Sequence, residues 1–347
     1  QAQHSVMVLN IDAELNKCIY ARLCRLYKPV SEEAEPVYAE DGSEITPPRE
    51  TYNAAVLVCN YRTGELLGMV STPSVDPLES DAEPTEGAYI NRCLSAAFTP
   101  GSVFKLVTSA AAIENIPDLF DEGFYCEGKT EIAGVPITCK TPHGQQNFEQ
   151  ALANSCNCTF ATLAVRLGQD TMVDYVREYG FLDRQSLDGI TTAAGNYPTE
   201  FVGDPEIGWS GIGQSTDLVC PYSMLRFVCA VANGGVLIEP KLINDGTQSV
   251  AERYMDGATA SRLKQMMSYN AVTAYDAEHN FPGLNICAKT GTAEVGDGTS
   301  NAWFVGFLDD EEHPYAFVTM VERGGGGLSM AGTVTNQFLQ DYFKEEQ

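Results

Sequence analysis

The chain contains no run of about 18 apolar residues, and Gln1–Leu9 has no charged segment leading into an apolar one. Neither a membrane span nor a secretory signal is expected, so the chain reads as soluble as it stands. Positive charge is scarce: 21 Lys and Arg stand against 47 Asp and Glu, a formal net charge of -26. Such a field repels phosphate backbones and anionic bilayers, which excludes nucleic acid as a partner. The acid is densest in residues 31–50, where Arg49 is the only basic residue, and that segment reads as a solvated loop rather than an interaction tail. No internal repeat or low-complexity tract is present; Gly324–Gly327 comes nearest and reads as a plain turn after a strand.

What is there is an ordinary globular composition. With 347 residues and 44% hydrophobic content, a sizeable core is available, and a single domain over residues 1–347 is expected. Eleven cysteines is an odd number, so at least one thiol is free or pairs between chains. Cys126 and Cys139 flank a turn at Ala133–Gly134 and could face each other across a hairpin, either as a disulfide or as free thiols. A zinc site drawn from Cys126, Cys139, His143, Cys156 and Cys158 has poor spacing. Zinc sites usually pair cysteines about two to four residues apart, whereas Cys156 and Cys158 are one apart and should splay around a helix. These cysteines read as buried small apolar residues, and neither a metal nor a cofactor is assigned.

Along the chain, Ser5–Ile11 reads as a strand, Asp12 to about Arg25 as a helix, and Ala54–Cys59 and Glu65–Val70 as a hairpin. Ser102–Glu114 has apolar residues at helical spacing after the Pro100–Gly101 break. Further helices are predicted at about Phe148–Leu167, Thr171–Tyr179, Thr216–Asn233 and Asp256–Tyr275. Leu284–Lys289, Ala302–Leu308 and Tyr315–Val321 follow as strands, and Thr333–Phe343 closes the chain as a helix. The fold class is α/β of the α+β type, an antiparallel sheet of about five strands built from both chain ends and covered by helices, since neither strand group could bury both faces alone.

Three short patterns occur in order: Ser102-Val103-Phe104-Lys105, Ser155-Cys156-Asn157 and Lys289-Thr290-Gly291-Thr292. A second S-x-x-K and S-x-N pair, Ser261–Lys264 and Ser268–Asn270, lies on one predicted helix within roughly 11 Å, and one helix face cannot surround a substrate. The first set draws its parts from separate elements, as acyl transfer requires. Ser102 needs a base, and Lys105 sits one helical turn along the same face. Its amine can serve only if burial and a second cation, Lys289, pull its pKa down from about 10.4. Ser155 would relay a proton, and the Asn157 amide would hold substrate backbone. Thr290 belongs to the strand that binds substrate, Gly291 leaves room for substrate backbone, and Thr292 offers a hydroxyl to a substrate carboxylate. The backbone N–H groups of Ser102 and Thr292 would form an oxyanion hole.

The S-x-x-K, S-x-N and K-T-G set is shared by penicillin-binding proteins and serine β-lactamases. With Asn91-Arg92, Gly211-Ile212-Gly213-Gln214 and Ala302–Phe307 added, nearly the whole chain resembles the transpeptidase domain of class B penicillin-binding proteins. The resemblance implies a β-lactamase/transpeptidase-like fold and cross-linking of peptidoglycan stem peptides through a Ser102 acyl-enzyme. It also implies acylation by β-lactams and a place on the extracytoplasmic face of the bacterial membrane beside a glycan polymerase. The family's membrane anchor and non-catalytic N-terminal domain are not visible, so an excised catalytic portion is expected. A D,D-carboxypeptidase, a serine β-lactamase and a non-enzymatic β-lactam sensor are the alternatives. Two departures stand out: Val103 replaces a common Thr, and Cys156 occupies the centre of the S-x-N motif, where oxidation would make the site redox-sensitive.

Overall fold

The computed structural model describes residues 6–29, 37–39, 41–45, 49–76, 78 and 83–345. Its centre is a five-stranded sheet of β1 (Ala54–Asn60), β2 (Leu66–Thr72), β3 (Ile286–Glu294), β4 (Ser300–Leu308) and β5 (Tyr315–Val321). The spatial order is β3-β4-β5-β1-β2 and every neighbouring pair is antiparallel. The two chain ends thus meet where β5 pairs with β1, Val318 opposite Leu57. Both faces are buried, and the two-residue period sorts the side chains between them. Ala54, Val56 and Val58 enter one core with Phe304 and Phe317, whereas Ala55, Leu57 and Cys59 enter the other with Trp303 and Val305. The apolar runs are continuous because neither face is left to water.

Ten α-helices are described: α1 (Ala13–Leu23), α2 (Lys105–Asn115), α3 (Phe148–Ala153), α4 (Asn157–Leu167), α5 (Gln169–Glu178), α6 (Asp204–Gly211), α7 (Pro221–Ala232), α8 (Gly257–Thr273), α9 (Ala277–Asn280) and α10 (Thr333–Glu345). Asp12 caps α1, and α1 packs with α10 over one face of the sheet. Helix α7 covers the other face, and α2, buried from Lys105 to Ala112, threads the larger core. A helix apolar around its whole circumference belongs in an interior.

Several expectations change. Of the strand expected at Ser5–Ile11, Ser5 lies outside the described residues. Residues 8–10 bond the 242–244 loop instead of a sheet strand, with one isolated bridge at Leu9. Half of the acidic segment also lies outside, and its described part contains a short ladder, Val37–Tyr38 on Glu44–Ile45. The helix expected at Thr216–Asn233 starts only at Pro221, whose fixed φ suits a first helical position. The helix expected over Phe148–Leu167 is two, broken at residues 154–156. Helix α6 was unforeseen because Gly208 and Gly211 lower its propensity; a Cβ on Gly211 would meet the Ala164 side chain at 2.2 Å, so these glycines let α6 press onto α4.

Candidate active site

Ser102 lies on a 3₁₀ turn, Gly101–Phe104, running directly into α2. Gly101 has φ +56, and its N–H donates to the Gly213 carbonyl at 2.9 Å. Gly213 has φ +77, and a Cβ there would meet the Gly101 oxygen at 2.0 Å. The Gly211–Gln214 segment is therefore a backbone buttress for the serine turn. We expect Gly213→Ala to cost about 2 kcal/mol or more in chemical denaturation, because neither contact partner is a side chain that can move aside.

Lys105 follows one turn later, fully buried, with its Nζ 3.0 Å from Ser102 Oγ. It donates to the Ser155 carbonyl at 2.6 Å and to Asn157 Oδ1 at 2.7 Å, and lies 3.1 Å from Ser155 Oγ. The Asn157 amide is oriented by its Nδ2, which donates to Thr138 O at 2.8 Å. Two of the partners of Lys105 can only accept, so a neutral amine spends both hydrogens on them and turns its lone pair to the hydroxyls. Burial lowers the Lys105 pKa to about 7, partly offset by the thiols of Cys156, Cys139 and Cys158.

The break between α3 and α4 explains how Ser155 reaches both amines. Its φ is +50, a left-handed conformation that costs of order 1–3 kcal/mol in a non-glycine residue. The turn sends its carbonyl to Lys105 and its Oγ to Lys289 Nζ at 3.0 Å. Lys289 is also fully buried and donates to Thr290 O at 2.9 Å. Burial first, and the charge of Lys105 second, hold its pKa well below the ordinary lysine value. Ser155 thus bridges two amines, an arrangement able to pass a proton between them.

Lys289-Thr290-Gly291-Thr292 lies inside β3, which runs on to Glu294 on the edge of the sheet. The expected strand end at Lys289 moves five residues along, because Gly291 pairs with Trp303 in the ladder rather than breaking it. The Thr290 N–H donates off the sheet edge to the Tyr275 hydroxyl at 3.0 Å. By the strand's period the Thr292 N–H faces the same edge, where Gly101 comes close to Ala293. Thr292 Oγ1 accepts from Gly327 N–H at 3.1 Å, which leaves its own proton to offer. A cavity of about 630 Å³ opens beyond Thr290 and Thr292, walled by Phe281, Gly327, Leu328 and Asn336.

Two residues gain structural roles beside those expected of them, and one reading is corrected. Gly291 makes room for the serine turn: a Cβ on it would meet Pro100 O at 2.8 Å and Val103 Cγ1 at 3.1 Å. Half-buried Asn157 has one end on Lys105 and the other on Thr138, so it also positions the amine. Gly324–Gly327 is more than a plain turn, since a Cβ on Gly327 would meet Gly291 O at 2.5 Å. Tyr275, Thr138 and Gly327 were missed, and nothing in their sequence spacing signals them. The rival set is dispersed: Lys264 pairs with Asp309 at 2.6 Å, and Asn270 is buried against Ala288 O at 3.0 Å. Cys126 and Cys139 are free thiols, Sγ to Sγ 3.8 Å.

A serine at the start of a central helix, a buried amine against it, and a second amine joined through a bridging hydroxyl define a serine–lysine acyl-transfer site. Residues 54–342 match the penicillin binding protein transpeptidase domain, and the chain belongs to that family. Stage V sporulation protein D of Bacillus subtilis is 29% identical over 310 residues, 82% of this chain and 48% of that protein. Peptidoglycan D,D-transpeptidase PbpA of Mycobacterium tuberculosis is 26% identical over 321 residues, 80% of this chain and 63% of that protein. The chain thus spans about half to two thirds of these relatives. Penicillin-binding protein A from M. tuberculosis, solved as a penicillin G acyl-enzyme complex, superposes with a TM-score of 0.78 at 21% identity, covering 97% of this chain and 80% of that one. No described helix is long and apolar enough to cross a membrane.

Proposed function

We propose that this chain is a peptidoglycan D,D-transpeptidase, with residues 1–347 acting as one catalytic domain. The observation that carries the reading is the Lys105 amine, buried, 3.0 Å from Ser102 Oγ and fixed by two partners that can only accept. Ser102 attacks the carbonyl of the penultimate D-Ala of a stem peptide, and Lys105 takes the hydroxyl proton. The tetrahedral oxyanion rests on the backbone N–H groups of Ser102 and Thr292. Collapse breaks the peptide bond, and Ser155, between Lys105 and Lys289, delivers the proton to the departing D-Ala amine. An amine from a neighbouring stem then attacks the ester and regenerates Ser102. Thr290 and Thr292 receive the substrate's terminal carboxylate beside the cavity. A β-lactam, as a strained amide of similar shape, acylates the same hydroxyl.

In its full-length setting the domain works on the outer face of the cytoplasmic membrane beside a glycan polymerase. Family membership, the relatives' names and the site geometry support the transpeptidase reading. Offered a donor stem peptide and an amine acceptor, the protein should give the aminolysis product by mass spectrometry. D-Ala release without that product would make it a carboxypeptidase, rapid return of unmodified protein with hydrolysed penicillin a β-lactamase, and a stable penicillin adduct with no peptide turnover a sensor.

A further inference from the structure

Four side chains that sequence spacing spoke against as a metal set come together beside the active site. Cys126 ends the strand Phe124–Cys126, Cys139 follows the hairpin strand Val135–Thr138, His143 precedes Gly144–Gln146, and Cys156 is the N-cap of α4. One ligand atom from each lies within 4.8 Å of all the others. Cys139 Sγ is 3.8 Å from both Cys126 Sγ and Cys156 Sγ. Tetrahedral zinc with Zn–S bonds of about 2.3 Å sets sulfur–sulfur edges of about 3.8 Å, so two edges already match. A second observation points the same way: Nδ1 of His143 is buried and has no hydrogen-bond partner among the described residues. A buried polar atom left unpaired costs about 1–3 kcal/mol, and a metal bond would remove that cost.

The backbone presents these ligands in a braced frame. His143 N–H donates to Cys126 O at 3.1 Å, Cys139 N–H to Gly128 O at 2.8 Å and Cys156 N–H to Ala151 O at 2.9 Å. Cys156 and Cys158 do not splay apart as expected, because Cys156 lies before the first helical turn; Cys139 Sγ is also 3.5 Å from Cys158 Sγ. Cys158 is the spare sulfur, itself against Ile137 O at 3.6 Å.

We propose that Cys126, Cys139, His143 and Cys156 bind one structural zinc ion. Three soft thiolates and one imidazole in a closed tetrahedron suit zinc, and with four protein ligands no position is left for water or substrate. Binding releases the three thiol protons to solvent and involves no redox change. The ion ties the hairpin to the start of α4. Cys156 is the middle residue of Ser155-Cys156-Asn157, and Thr138, next to Cys139, holds the Asn157 amide. Zinc therefore locks the left-handed Ser155 turn and keeps its carbonyl and hydroxyl on Lys105. The metal assignment does not depend on the acyl-transfer reading.

The test is metal content by inductively coupled plasma and native mass spectrometry, on protein purified under reducing conditions and equilibrated with zinc(II). The wild type should carry about one zinc per chain, Cys139→Ser and His143→Ala below about 0.1, and Cys158→Ala about one. Cobalt(II) put in place of zinc should show sulfur-to-cobalt charge transfer and the intense d–d bands of a tetrahedral site. Should the variants fail to fold, the wild type decides alone: a mercurial thiol reagent should release about one zinc to a chromogenic chelator and lower the melting temperature. Wild type with free thiols and no zinc, a disulfide among these cysteines in anaerobically purified protein, or equal zinc in Cys139→Ser and wild type would each overturn the site. Removing zinc should slow penicillin acylation about tenfold, reversibly on adding zinc back; an unchanged rate would overturn the positioning role. Zinc-loaded wild type that never acylates counts against the proposed function and leaves the metal site standing.

Discussion

Ser102→Ala should abolish the covalent penicillin adduct in intact-mass measurements, while Ser261→Ala should acylate at the wild-type rate. Ser102 is the hydroxyl that shares a 3.0 Å contact with a buried amine, whereas Ser261 sits exposed on α8 beside Lys264, which is already paired with Asp309. Removing the nucleophile of a comparable acyl-transfer enzyme lowers turnover by about a million-fold, so the adduct should fall below detection. Because Ser102 is half-buried on a turn fixed by backbone contacts, the Ala variant should keep its melting temperature within a few degrees. An adduct on the Ala variant, or its loss in Ser261→Ala, would move the reaction elsewhere.

How much of this was legible in the chain depends on how local each feature is. The three inner strands β1, β4 and β5 announce themselves as apolar runs, because each is buried on both faces, and the union of strands from the two chain ends follows from the need to cover those faces. The Ser102–Lys105 contact was legible because three residues make one helical turn. The Ser155 break was not: residues 148–167 carry helical periodicity throughout, yet Ser155 turns left-handed where α3 ends, its N–H on Leu152 O and the Cys156 N–H on Ala151 O closing that helix. Tyr275 and Thr138 act across the fold on Thr290 and Asn157, a juxtaposition no spacing encodes. The thiol cluster failed on the same ground, since its ligands arrive from strand ends and a helix cap rather than from a short cysteine pair. The space Gly291 leaves for the Pro100 carbonyl was equally hidden, since the serine turn reaches it from far along the chain.

Penicillin acylation should rise with pH to a plateau, with its midpoint near pH 7, and Lys105→Met should lower the plateau by a factor of about 100 to 10,000. The sign follows from the proton: Ser102 can pass its hydrogen only to a neutral amine. Burial disfavours the ammonium, so the neutral form predominates above about pH 7, and below it each pH unit should cost about tenfold in rate. Met keeps the length of the apolar stem in the core and removes the base. Lys105→Arg separates base from charge, because a guanidinium keeps the positive field yet holds its proton throughout this range. If Arg restored the rate, or if the limb near pH 7 persisted in the Met variant, Lys105 would be an electrostatic support and the base would lie elsewhere, Lys289 being the next amine on Ser155. The measurement is the pseudo-first-order rate of labelling by a fluorescent penicillin across the pH range, with circular dichroism at each pH to show that the fold is retained.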